Sequence, residues 1–235
     1  MTNCFGNNSK FPWGILDILV VLGFIFVLTN FFTWLTAGLI EALVIIQKYL
    51  ISTVIQTSVV LLALIYFRII KGVTWRQLGI SLGKPLKTLK NGIIGGIVLF
   101  ALVVVVGIIM ESILPMKPDL QPFAQLVMEA KDRRDLISLF VIGSILAPIG
   151  EEVYFRGLVY PVFKNKWGVG FGMILSGIFF ALLHFDIIRF FPLALGGIGL
   201  AYIYEKTGSL FACMIAHGLW NGIMIILLYL TGLSL

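Results

Sequence analysis

Apolar residues run in blocks of about 20, the length a helix needs to cross the hydrocarbon core of a bilayer, and short polar or basic breaks separate them. The blocks predict spans at Ile15–Leu35, Ile51–Phe67, Ile93–Leu114, Leu136–Tyr160, Val169–Phe185, Ile187–Tyr204 and Leu210–Leu230. Residues 36–50 hold Glu41, Gln47 and Lys48 and read as an interfacial helix or a short extra span. Hydrocarbon offers no partner to an open backbone, so each span is expected to be a self-satisfied helix. The pattern predicts an all-α, polytopic membrane helix bundle of seven or eight transmembrane helices. No linker or repeat interrupts it, so residues 1–235 read as one integral membrane domain, whose polar motifs fall within 136–225.

Composition agrees, with 60% hydrophobic and 12% charged residues, where a soluble domain carries roughly a quarter charged. The net charge of +6 does not argue for nucleic acid, because the basic residues sit in short loops beside the spans. Arg68, Lys71, Arg76, Lys84, Lys87 and Lys90 share one loop with no acidic residue. The positive-inside rule makes that loop cytoplasmic. The 116–135 connection carries Lys117, Asp119, Glu129, Lys131, Asp132, Arg133, Arg134 and Asp135, whose charges cancel, and is expected outside. Lys164 and Lys166 then fall inside. Seven spans put the N-terminus in the cytoplasm and the C-terminus outside, in a protein of the cell membrane. Cys4 and Cys213 imply no disulfide framework. The N-terminus has no short apolar segment followed by a small-residue cleavage site, so no removable signal peptide is expected.

Polar side chains inside spans are costly and mark functional cavities. The first cluster is Glu151-Glu152-Val-Tyr-Phe-Arg156. Glu152 and Arg156 are four apart, on one helix face, and form the natural ion pair. Glu151 points about 100° away around the helix and keeps a free carboxylate, suited to act as a general base. The alternative is a solvated helix end at the cytoplasmic surface. The second cluster is Phe180-Ala-Leu-Leu-His184, followed by Phe185-Asp186; the third is His217-Gly-Leu-Trp-Asn221. A single histidine in a span is often a packing or interhelical bonding residue. The two here, the only histidines in the chain, gain weight from the Glu pair. Asn221 is interhelical glue by itself; beside His217 it offers a second donor aimed at the same point. Asp186 either orients His184 or caps a loop. Cys213, four residues before His217, reads as packing rather than as a nucleophile.

These motifs, in this order, resemble the CPBP family of intramembrane peptidases, which includes the type II CAAX prenyl endopeptidases and the bacteriocin-processing and self-immunity proteins (Abi family). The family pattern is Glu-Glu-x-x-x-Arg, Phe-x-x-x-His and His-x-x-x-Asn or Asp, and all three are intact across roughly residues 136–225. The resemblance implies an endopeptidase in which Glu151, helped by His184, activates water. His217 and Asn221 would stabilise the oxyanion, a role worth about 3–4 kcal/mol per donor in hydrolases. Glu152 and Arg156 would position the base or the substrate. The implied partners are the bilayer and a peptide or protein substrate in or at the membrane, with no nucleic acid. No cofactor is expected; the alternative is zinc held by Glu151, His184 and His217, although no His-Glu-x-x-His motif is present.

Two other classes compete. A non-enzymatic scaffold or immunity protein of the same fold would tolerate loss of Glu151. A transporter using Glu151, His184 and His217 as a proton relay would be built from related halves, and none is visible. One geometric difficulty stands. At 1.5 Å per residue, Glu151 lies ~24 Å from the external end of its span if that begins at Asp135. His184 lies ~24 Å from the cytoplasmic end of its own if that begins near Gly168. In a core of about 30 Å the two miss each other in depth, unless kinks at Pro148, Gly150 or the Gly168-Gly170-Gly172 run intervene.

Overall fold

Each apolar block folds into a helix. A computed structural model describes residues 12–35, 45–81, 83–113 and 121–232. The helices are α1 (Ile15–Leu35), α2 (Ile45–Ile69), α3 (Pro85–Ile113), α4 (Pro122–Met128), α5 (Arg133–Val141), α6 (Ala147–Glu152), α7 (Tyr160–Leu182), α8 (Phe190–Thr207) and α9 (Leu210–Gly232). No strand occurs among the described residues. Residues 1–11, 36–44, 114–120 and 233–235, with Leu82, lie outside the described set, and with them Cys4, Glu41 and the expectation for the N-terminus. α2 begins at Ile45 and so takes in Gln47 and Lys48, which the sequence pattern assigned to a separate segment.

Among the described residues, five helical runs are long and apolar enough to cross a membrane: α1, α2, α3, the continuous run Arg133–Leu182, and α9. Apolar side chains on the outer faces of the first three are exposed, Leu16 at 75% and Phe26 at 69% among them. That inverts the burial of a soluble protein and suits lipid as solvent.

The run Arg133–Leu182 carries the site. Asp132 caps its start, accepting hydrogen bonds from the backbone N–H groups of Arg134 (2.8 Å) and Asp135 (2.9 Å). α5, α6 and α7 are joined by two π-helical stretches, Ile142–Leu146 and Val153–Val159. Wide turns of this kind concentrate at functional sites. Pro148 explains the first: it has no N–H for the Ser144 carbonyl one turn back. That carbonyl lies against the bare Cα of Gly218. The carbonyls beside it find side-chain donors, Gly143 from Asn221 Nδ2 (2.9 Å) and Leu146 from Thr57 Oγ1 (3.1 Å). Helices α2 and α9 are thus fastened where the run departs from α-geometry.

At Gly168 the run reverses, with φ 81° and ψ 172°, a conformation open to glycine alone. The second limb of α7 packs on α8 through facing glycines. A Cβ on Gly177 would sit 2.7 Å from both the Ala194 carbonyl oxygen and the Ile198 nitrogen. Because both obstacles are backbone, Gly177→Ala is expected to push α8 away. It should lower unfolding stability in detergent by about 1–3 kcal/mol, the usual cost of overpacking. A thermal midpoint equal to wild type would contradict this account.

Candidate active site

Glu152 and Arg156 are fully buried, and Arg156 Nη1 donates to Glu152 Oε1 at 2.8 Å. Although Arg156 lies in a π-helical stretch, residues four apart still share a side. The guanidinium also donates through Nη2 to the Gly197 carbonyl (2.9 Å), which explains why the α7–α8 glycine contact matters to the site. Its Cζ lies over the Phe180 ring, 5.1 Å from the centroid.

Glu152 Oε1 takes a second partner, His217 Nδ1 at 2.7 Å. A carboxylate only accepts, so Nδ1 carries hydrogen. That hydrogen bond holds the imidazole, and Trp220 stacks on it at 5.5 Å. The far nitrogen, Nε2, then points at Glu151 Oε2, 3.8 Å away. Glu151 itself is 32% exposed, and its Oε2 has no hydrogen-bond partner among the described residues. Two neighbouring carboxylates therefore have different surroundings: one closed within an ion network, one open to a cavity.

His184 lies in the turn just after the second limb of α7. Its Nδ1 lies 2.8 Å from the Phe180 carbonyl, which can only accept, so Nε2 is the nitrogen left bare. The Phe180 ring touches both imidazoles, at 4.6 Å to His184 and 5.8 Å to His217. The first residue of the Phe-x-x-x-His motif is thus the pillar around which Arg156, His184 and His217 are arranged.

The hairpin at Gly168 removes the difficulty of depth. Gly172 lies against Lys164, and Phe155 faces Phe180 at 5.0 Å. Continuing that antiparallel register puts residue 151 opposite 184. Both are about equally far from the turn, ~25 and ~24 Å along the axis at 1.5 Å per residue. The span carrying Glu151 starts at Arg133 and runs on to the turn, so it is longer than the hydrocarbon core. Measuring depth from its first residue was the error.

Glu151, His184 and Asn221 line one cavity of about 480 Å³. Asn221 differs from expectation in one respect: an amide hydrogen is already used on Gly143, because the π-helical stretch exposes that carbonyl. α2 also lines this cavity, through Tyr49, Ser52, Thr53, Gln56 and Thr57, which the sequence analysis did not single out. Their spacing of three and four in an apolar span was the available signal. Asp186 does not orient His184; it accepts from Gln121 Nε2 (2.9 Å) and from Arg189 N (2.9 Å) and Nη1 (2.6 Å) in the turn that follows. Burial pushes its carboxyl up, and these bonds outweigh burial and hold it below the usual carboxylate range. Cys213 is fully buried with Sγ 3.5 Å from the Leu200 carbonyl, packed between helices. Among the described residues no three His, Cys, Asp or Glu side chains converge as a metal site.

Residues 133–223 match the family model described as type II CAAX prenyl endopeptidase Rce1-like. Two curated bacterial proteins are similar over part of this chain. "Putative membrane peptidase YdiL" of Bacillus subtilis (strain 168) is 25% identical over 89 residues, 38% of this chain and 36% of its own length. "UPF0177 protein YaiF" of Lactococcus lactis subsp. lactis (strain IL1403) is 34% identical over 92 residues, 37% of this chain and 39% of its own. The chain thus spans less than two-fifths of the length of either relative. No solved structure matches. The segment that holds all three motifs and the network around Glu152 is thus similar to the Rce1-like type II CAAX prenyl endopeptidase family.

Proposed function

We propose that this protein is an intramembrane endopeptidase acting by glutamate-activated water on a membrane-associated or lipidated peptide. The supporting observation is the inequality of the two carboxylates. Glu152 is closed in by Arg156 and His217, while Glu151 opens onto the cavity that His184 and Asn221 also line. Glu151 takes a proton from water as the oxygen attacks the scissile carbonyl carbon. The tetrahedral oxyanion accepts from His217 Nε2 and from the second amide hydrogen of Asn221. For that role Nε2 faces the oxyanion while Nδ1 stays on Glu152 Oε1. As the C–N bond breaks, the proton passes from Glu151 to the leaving amine, with His184 Nε2 within the same cavity to relay it.

In this reading the two limbs about Gly168 and helix α8 each cross the bilayer, giving seven spans, a cytoplasmic N-terminus and a place in the cell membrane. Comparison of the membrane peptidomes of wild-type and Glu151→Gln cells tests the activity. Fragments present only in wild type are expected; identical peptidomes would point to the scaffold class. The proposed mechanism uses no metal, so chelators should leave cleavage by the purified protein within about twofold of untreated enzyme. Stoichiometric zinc that tracks activity overturns the metal-free mechanism.

A further inference from the structure

A membrane helix that buries a polar stripe normally bonds it to a neighbouring helix. Thr57 of α2 does so, reaching the Leu146 carbonyl. The stripe above it does not. Gln56 Nε2 donates to Ser52 Oγ at 3.3 Å on its own helix. Among the described residues no hydrogen bond joins Ser52, Thr53 or Gln56 to another element. Gln56 is exposed within a span of high hydropathy, a costly placement unless its amide faces a polar cavity. It does face one: all three residues line the same cavity as Glu151, His184 and Asn221.

The spacing says what that wall fits. Ser52 and Gln56 are separated by ~6 Å along the helix axis. Same-side backbone groups of an extended peptide repeat at about 6.6 Å, two residues at roughly 3.3 Å each. A peptide entering an apolar cavity brings backbone N–H and C=O groups that need partners. Hydroxyls and a primary amide can both donate and accept. We propose that Ser52, Thr53 and Gln56 form a binding wall that hydrogen-bonds the backbone of an extended peptide and holds it against Glu151. The cavity is taken as a peptide site, as in the peptidase reading, but the claim concerns binding rather than hydrolysis.

The test uses full-length protein carrying Glu151→Gln in detergent, with a fluorescein-labelled, C-terminally amidated decapeptide of Val, Ala and Gly as probe. Kd is read by fluorescence polarisation. Adding Ser52→Ala, Thr53→Val and Gln56→Leu should raise Kd about tenfold or more, with the thermal midpoint unchanged. Decapeptides with single amides replaced by esters should bind less well at one or two positions, and the triple wall variant should be insensitive to those replacements. A Kd within twofold of the parent, equal ester sensitivity in both proteins, or no binding of the decapeptide overturns the proposal. Wall-dependent binding without cleavage by the wild-type protein supports the wall and refutes the peptidase reading.

Discussion

Glu151→Gln is expected to lower kcat about 10²–10⁴-fold, the range contributed by a positioned general base, and to leave folding intact. Glutamine keeps the shape of the side chain and loses only the ability to take a proton. Little structure depends on the charge, since among the described residues Oε2 has no hydrogen-bond partner and His217 Nε2 is 3.8 Å away. The unfolding free energy should therefore stay within about 0.5 kcal/mol of wild type, as for substitutions away from networks. Initial rates on a quenched fluorescent peptide and thermal unfolding in the same detergent check both halves. A rate within tenfold of wild type sinks the mechanism. A collapsed midpoint with a lost rate would instead show that Glu151 is a structural residue.

Arg156→Met is expected to act in the opposite sense, chiefly on stability. Arg156 is fully buried and compensates a carboxylate that is equally buried. Removing the guanidinium leaves Glu152 with His217 alone and frees the Gly197 carbonyl. Breaking a buried pair from one side costs about 3–5 kcal/mol. Methionine fills much of the volume against Phe180, so the loss is electrostatic rather than a cavity. The double variant Glu152→Gln/Arg156→Met removes both charges together and should recover part of the stability, because no ion is stranded. Unfolding by SDS titration of the three proteins reads the coupling. If the double variant is no more stable than Arg156→Met, the ion pair is not what holds this region together.

Much of the site follows from spacing within single helices. The Glu152–Arg156 pair and the separation of Glu151 from it are consequences of helical winding, and they survive the two π-helical stretches. The four-residue spacing of Phe180 and His184 likewise sets the ring contact at 4.6 Å. The apolar block lengths fixed the helical class, because only self-bonded helices or closed barrels satisfy a backbone in lipid. Element ends were less legible. α3 begins at Pro85 rather than Ile93, taking Lys87 and Lys90 into its first turns, where long charged side chains can reach the interface.

What one helix presents to another was decided only by the tertiary structure. Glu151 and His184 meet because a single glycine at 168 turns the chain about midway between them, which no count from span ends reveals. His217 Nδ1 closes on the Glu152 carboxylate where α9 packs on α6, and Asn221 braces Gly143 where the π-helical stretch exposes that carbonyl. The polar stripe of α2 becomes a cavity wall only once that helix is docked on the 142–152 region through Thr57. The physical reason is common to all of these. Periodicity along one helix is set by local backbone geometry, which the sequence carries directly. Depth, rotation and partner choice between helices are set by turn positions and by which backbone groups are left to be satisfied, and these exist only in the packed bundle.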